Sequence, residues 1–333
     1  MLRLYDVQAG QPEPVSGARR GELRMLIRAP GSGRRPHLGD LRSYLLPDLV
    51  RRWAERRGLQ VFACELSQTA GERALETIRA EHAALNIHPP DRTSPDPAGR
   101  SAPGQPTRGQ PMPGQHAPGQ HAPGQASDEG PPFDLATGGS DRSPVPDGLA
   151  AHRAASTGPV TFEGRDVAGL AGTGLAGTDL TGTDLTGTDL TGTDLTGTDG
   201  DDGDDGDGDG IVWLSDVTGL GLDPLALRLT FLRHRYREPA DLTWDALLAA
   251  DRTLRRWRER VADWATEPSA PLVRSYADAV TSAFEDDVDS PAALRHLQAL
   301  EADSAAPAGA KFETFAYLDL LLGLDLTREI GRY

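Results

Sequence analysis

His37 and Asp40 stand three residues apart where a strand, a glycine-bearing loop and a helix follow one another, and this is where the chain could do chemistry. Glu22-Leu23-Arg24-Met25-Leu26-Ile27 reads as a short apolar strand, and Ala29-Pro30-Gly31-Ser32-Gly33 as the loop that breaks it. Leu38, Leu41, Leu45, Leu49 and Trp53 then recur at helical spacing as far as Gly58, a helix stop, and Leu59 to Cys64 reads as the next strand. A helix that follows the first strand of such a unit offers its N-terminal N–H groups to anions. His37 there can meet a phosphate, with Gly39 beside it and Pro30, Arg34 and Arg35 in the preceding loop. Asp40 lies on the same face and works against it. Two like charges about 4 Å apart repel by roughly 4 kcal/mol at an effective dielectric near 20. Arg34 and Arg35 could restore positive charge, although solvated loop arginines are the plainer reading.

Further motifs extend the pattern. Leu2-Arg3-Leu4-Tyr5-Asp6 with Gln11-Pro12-Glu13-Pro14 opens the chain, Arg42-Ser43-Tyr44 and Asp48 follow His37, and Ala84 to Asp91 reads ALNIHPPD. Later come Leu214-Ser215-Asp216-Val217, Asp223 to Arg228, His234 to Arg237, Asp286 to Leu294 and Asp319 to Leu324. In this order they resemble the cysteinyl-tRNA synthetase family of class I aminoacyl-tRNA synthetases, with His37-Leu38-Gly39-Asp40 in place of its HIGH motif. Ending without an anticodon-reading domain is closer to the mycothiol ligase branch, which activates cysteine as an adenylate and joins it to glucosaminyl-inositol. The resemblance covers roughly the first 92 and last 120 residues. It implies ATP and a cysteine-like molecule as ligands, and zinc as the group that holds the thiol.

The departures bear on function. The family's zinc set begins with a Cys just before a Gly-Pro, where this chain has Arg28-Ala29-Pro30. The one cysteine, Cys64, sits in an alternating strand and reads as a small buried hydrophobe, and a zinc site needs about four ligands. No metal ligands are therefore assigned. The KMSKS motif should precede Val212, yet the only lysine is Lys311, and an Asp-Gly tract fills Gly200 to Gly210. Losing one preorganised donor typically costs about 10²–10³ in rate. ATP binding is expected to be weak or vestigial, and little adenylation should remain.

Length allows two domains, but the middle of the chain has the wrong composition for a core. Residues 93–159 are dominated by Pro, Gly, Ser and Gln, with His116 and His121 inside a near-repeat as passengers rather than ligands. Leu-Thr-Gly-Thr-Asp then recurs from 180 to 199, preceded by related copies from Leu170, and resembles pentapeptide-repeat proteins. About six pentads make only one and a half turns of such a helix, and repeat folds need several stacked, capped units, so disorder is expected. Asp205 to Asp216 matches a calcium-loop pattern, but alternating Asp and Gly satisfies most of its positions automatically. Of the net −16, eleven charges lie on aspartates within 179–209, and removing them leaves −5 for the rest. That tract repels nucleic acid, so tRNA is not an expected partner. No apolar run is long enough to span a membrane, and cytoplasmic is the default location.

The last third reads as helices. Asp223-Pro224 opens one, Thr243 caps a second, Leu272 to Phe284 marks a third, Ser290-Pro291 opens a fourth, and Phe312, Phe315, Leu318 and Leu322 mark the last. The reading is an α/β fold: a partial Rossmann-like (class I synthetase, HUP-type) domain over 1–92, a long disordered insertion over 93–210 replacing the second nucleotide-binding half, and an α-helical bundle over 211–333. The leading function is a catalytically impaired ligase homologue, with His37 and Asp40 at the old catalytic position and a protein partner in view. The alternatives are an active ATP-dependent cysteine ligase with a divergent site, and a scaffold acting through the repeats or acidic tract. No oligomeric state follows from the sequence.

Overall fold

The computed structural model describes residues 1–15, 21–28, 36–67, 72–95, 133–138, 151–163, 165–166 and 212–332. The near-repeat histidines, the pentapeptides and all but the end of the calcium-like loop lie outside them, as do Pro30, Arg34 and Arg35. At the N-terminus β1 (Arg3–Asp6) and β2 (Gln11–Pro14) form an antiparallel hairpin. Next come β3 (Glu22–Arg28), α1 (Leu38–Arg56), β4 (Gln60–Ser67), α2 (Glu72–Ala84) and β5 (Arg92–Pro95). The apolar positions that suggested α1 are all buried, including Leu38, Leu41, Leu49 and Trp53. Pro47 lies within this helix without ending it.

The main sheet is completed from a part of the chain that composition assigned to the insertion. Strands β6 (Phe133–Gly138) and β7 (Ala151–Ser156) give a five-stranded parallel sheet in the order β5-β4-β3-β6-β7. That order reverses between β3 and β6, as in a doubly wound Rossmann-like sheet. The second half is therefore not wholly replaced by low-complexity sequence. Two short strands of it remain, and Leu135 and Ala155 enter the same core as α1. A run of Pro, Gly and Ser around six-residue strands masks them when composition is averaged over a long window.

Past β7 the chain makes β8 (Val160–Phe162) and β9 (Arg165–Asp166), then returns at Val212 into α3 (Leu214–Gly219) and α4 (Pro224–Leu232). β10 (Ala240–Leu242) pairs in parallel with β8, so the second and third sections are joined by backbone hydrogen bonds. Helices α5 (Trp244–Trp264), α6 (Arg274–Glu285), α7 (Ser290–Ala302) and α8 (Ala308–Leu322) complete the bundle. Their starts follow the sequence closely. Asp223 accepts from the Leu225 N–H, Thr243 from Ala246, and Asp289, one residue before the expected Ser290, from Ala292. Trp257, Phe284 and Phe315 are fully buried, and the bundle and the α1 face of the sheet share one continuous core.

Candidate functional site at the start of helix α1

Helix α1 begins beyond the carboxyl end of β3, next to the β3/β6 reversal, where parallel α/β sheets bind ligands. His37 is its N-cap in an extended conformation. The imidazole Nδ1 accepts from the Asp40 N–H at 3.2 Å, and the Asp40 carboxylate accepts from the His37 N–H at 3.1 Å. This is a reciprocal capping box with histidine in the serine role and aspartate in the glutamate role. The second ring nitrogen, Nε2, lies 3.4 Å from the other Asp40 oxygen. At the start of the chain's last section, the Val212 carbonyl accepts from the Leu38 N–H at 3.3 Å.

The arrangement turns the helix's anion-seeking end upon itself. Both His37 and Asp40 are buried, at 5 % and 9 % exposure, and Gly39 between them is half-buried. Asp40, expected to repel a phosphate, supplies its own carboxylate to the helix instead. Negative charge within the first turn stabilises the helix dipole. Replacing Asp40 with alanine is expected to cost about 1 kcal/mol, the usual worth of a cap. The shift of the urea midpoint measures it, and an unchanged midpoint would show that the cap contributes nothing.

Arg34 and Arg35, the expected sources of positive charge, lie outside the described residues, and Lys311 and Cys64 lie away from this point. Lys311 is buried in the bundle, where its Nζ donates to the Glu301 carbonyl at 2.9 Å and lies 5.3 Å over the Trp264 ring. Cys64 is buried on the sheet face away from α1, packed with Leu26, Leu66, Phe133 and Ala136, and burial pushes its thiol up. Arg28, in place of the family's first zinc ligand, closes β3. No group of three or more His, Cys, Asp or Glu side chains that could hold a metal occurs among the described residues. Among the described residues this donor set does not fit a thiol-holding zinc, and the N–H groups of His37, Leu38 and Asp40 are already engaged.

The other shared motifs meet in a buried polar cluster behind α1. Asp48, whose side chain is fully buried, accepts from Arg228 at 2.6 Å and from Arg52 at 2.8 Å, and lies 2.7 Å from His88 Nδ1. Arg228 also donates to the Leu322 and Leu85 carbonyls, and Arg52 to the Asn86 carbonyl. Asn86 in turn donates to the Gly323 carbonyl at 3.0 Å. Burial alone would raise the Asp48 carboxyl, yet Arg228, His88 and Arg52 hold it well below its ordinary range. Gly323 is left-handed, and a Cβ there would meet the Arg228 and Arg52 guanidinium groups at 2.7 and 2.9 Å. So Asp48, Asn86, Arg228 and Gly323, four separate stretches of the resemblance, form one joint between α1 and the bundle. Only their co-occurrence in that resemblance pointed to it.

Known proteins share part of this chain. A stretch of 121 residues, 35% of the chain, is 38% identical to an L-cysteine:1D-myo-inositol 2-amino-2-deoxy-alpha-D-glucopyranoside ligase of Nocardiopsis dassonvillei. Proteins of the same name from Streptomyces griseus and Streptomyces coelicolor are each 34% identical over 120 residues. In each case the match spans 28% of the relative's length, so the similarity is partial. Separately, residues 170–199 match the pentapeptide-repeat family, with eight copies.

Proposed function

We propose that this chain is a cysteinyl-tRNA synthetase- and mycothiol ligase-like protein, built on a class I synthetase nucleotide fold, whose adenylation centre is impaired. The observation that carries the proposal is the closed first turn of α1. A working centre of this kind needs free N–H groups and positive charge facing the phosphates. Here His37 Nδ1, the Asp40 carboxylate and the Val212 carbonyl take up donors of that turn.

In this reading the protein keeps the family's scaffold and interdomain joint. It binds ATP weakly at most, does not act on tRNA, and serves a protein partner rather than a turnover cycle. The Arg28 and Cys64 positions give no support to a zinc-held thiol. The names of the relatives support the family-level chemistry, ATP-dependent ligation of cysteine, as the ancestral activity.

Cysteine-dependent ATP–pyrophosphate exchange on the full chain tests this. The expected rate is indistinguishable from a no-enzyme control. Sustained exchange that requires cysteine and disappears in His37→Ala would establish the opposite, an active ligase with a divergent site.

A further inference from the structure

Helix α2 is docked by polar residues. Among its described side chains, 75–84, the buried ones are Glu81 and His82, while Leu75, Thr77, Ile78 and Ala84 are half-buried and the rest exposed. A surface helix normally docks through an apolar stripe. Here His82 stands in that stripe, between the half-buried Ile78 and the buried Leu85, its ring 4.2 Å from the Tyr44 ring of α1 and 5 % exposed. It lies against a small cavity whose lining also includes Asp48, Glu65 and His88. Its Nε2 is buried with no hydrogen-bond partner.

The chain just beyond α2 is held firmly. Leu85 and Ile87 are buried, Ile87 N–H donates to the His82 carbonyl at 2.8 Å, and Asn86, left-handed, is tied to Arg52 and Gly323. The helix therefore has a fixed C-terminal hinge and a polar anchor.

We propose that α2 is a proton-released element: protonation of His82 undocks it from α1 and β4 about the hinge at 85–88, while the rest of the fold stays closed. The groups around the imidazole decide whether its charge could be tolerated in place. From α1 come Tyr44, Asp48 and Arg51, from β4 Glu65, from the following loop His88, and from α2 itself Glu81 and Arg79. Asp48 favours the charged ring, but its carboxylate is already engaged by Arg228, Arg52 and His88. Glu65 accepts from the Tyr44 hydroxyl at 3.1 Å, and burial pushes its carboxyl up, so it loses its charge as the pH falls. Burial outweighs Asp48 and lowers His82 from 6.5 to about 4 in the docked state.

The sign follows. A group depressed on docking favours the docked state fully above 6.5 and loses that contribution as the pH falls toward 4. The open population should rise about 100-fold between pH 7 and pH 4, because the docked ring is itself half protonated at the lower value. Amide hydrogen exchange of the full chain from pH 7 to pH 4, corrected for intrinsic exchange, measures it. Protection in α2 should fall by that factor while α5 keeps its own, and His82→Gln should flatten the α2 dependence. The His82 ring should titrate below 5 by NMR in the unmutated protein, a readout independent of whether the variant folds. Loss of protection in α2 and α5 together, an unchanged dependence in His82→Gln, or a ring titrating near 6.5 would each overturn the proposal.

Discussion

Replacing Asp48 with alanine should destabilise the protein by about 3–5 kcal/mol, the cost of stranding a buried charge. Arg228 is fully buried, and among the described residues Asp48 is the one carboxylate its guanidinium meets at hydrogen-bond distance. Removing that carboxylate leaves the guanidinium with carbonyl partners only and frees Arg52 and His88 as well. The effect should exceed the cap loss at Asp40 several-fold, because the capped end of a helix can recruit water. Urea denaturation followed by tryptophan fluorescence reads both halves of the joint, since Trp53 lies in α1 and Trp257 in the bundle. A loss below about 1 kcal/mol would mean that the joint is solvated and does not bind the two parts. Replacing Asp48 and Arg228 together by apolar residues should recover much of the loss, as buried pairs often allow.

That joint explains why so much of the resemblance lies far from His37. Asn86 and Gly323 are positions where a backbone conformation and a hydrogen bond must both be met, with φ of 53° and 66°.

The helices were legible because caps and apolar spacing are local. Asp223-Pro224 and Thr243 announced α4 and α5 with their bonding partners in place. Strand β3 and helix α1 were legible for the same reason, and so was Cys64 as a buried hydrophobe. Other elements escaped because their evidence is not local. β6 and β7 are short strands in a Pro- and Gly-rich stretch, given meaning only when β6 pairs with β3, more than a hundred residues away, and β7 with β6. α2 has only a short apolar stripe, Leu75, Ile78 and, just past its end, Leu85, interrupted by His82, so its spacing is a weak signal. At the site, the three-residue spacing of His37 and Asp40 was visible and could have been read as a capping box. A histidine is an unusual cap residue, so its spacing to an aspartate signals charge opposition before it signals a cap. The Val212 carbonyl could not be anticipated, being brought to α1 by the return of a distant segment.

The second large effect concerns ATP itself. A centre with open N–H groups and cationic partners holds nucleotide tightly, whereas each donor already satisfied must first be released. Breaking the cap costs about 1 kcal/mol, and a phosphate facing the Asp40 carboxylate adds roughly 4 kcal/mol at about 4 Å. Together these weaken binding by more than three decades, since each 1.4 kcal/mol is tenfold. Micromolar affinity would become millimolar. Titrating ATP with magnesium into isotope-labelled protein and following the His37 to Leu41 amide signals is the most direct measurement. Those signals should stay in place up to about 0.1 mM nucleotide, a tenth of a millimolar Kd, whose binding free energy is about −4.1 kcal/mol. Saturable shifts at those amides in the micromolar range, with the Asp40 N–H moving off His37, would contradict it.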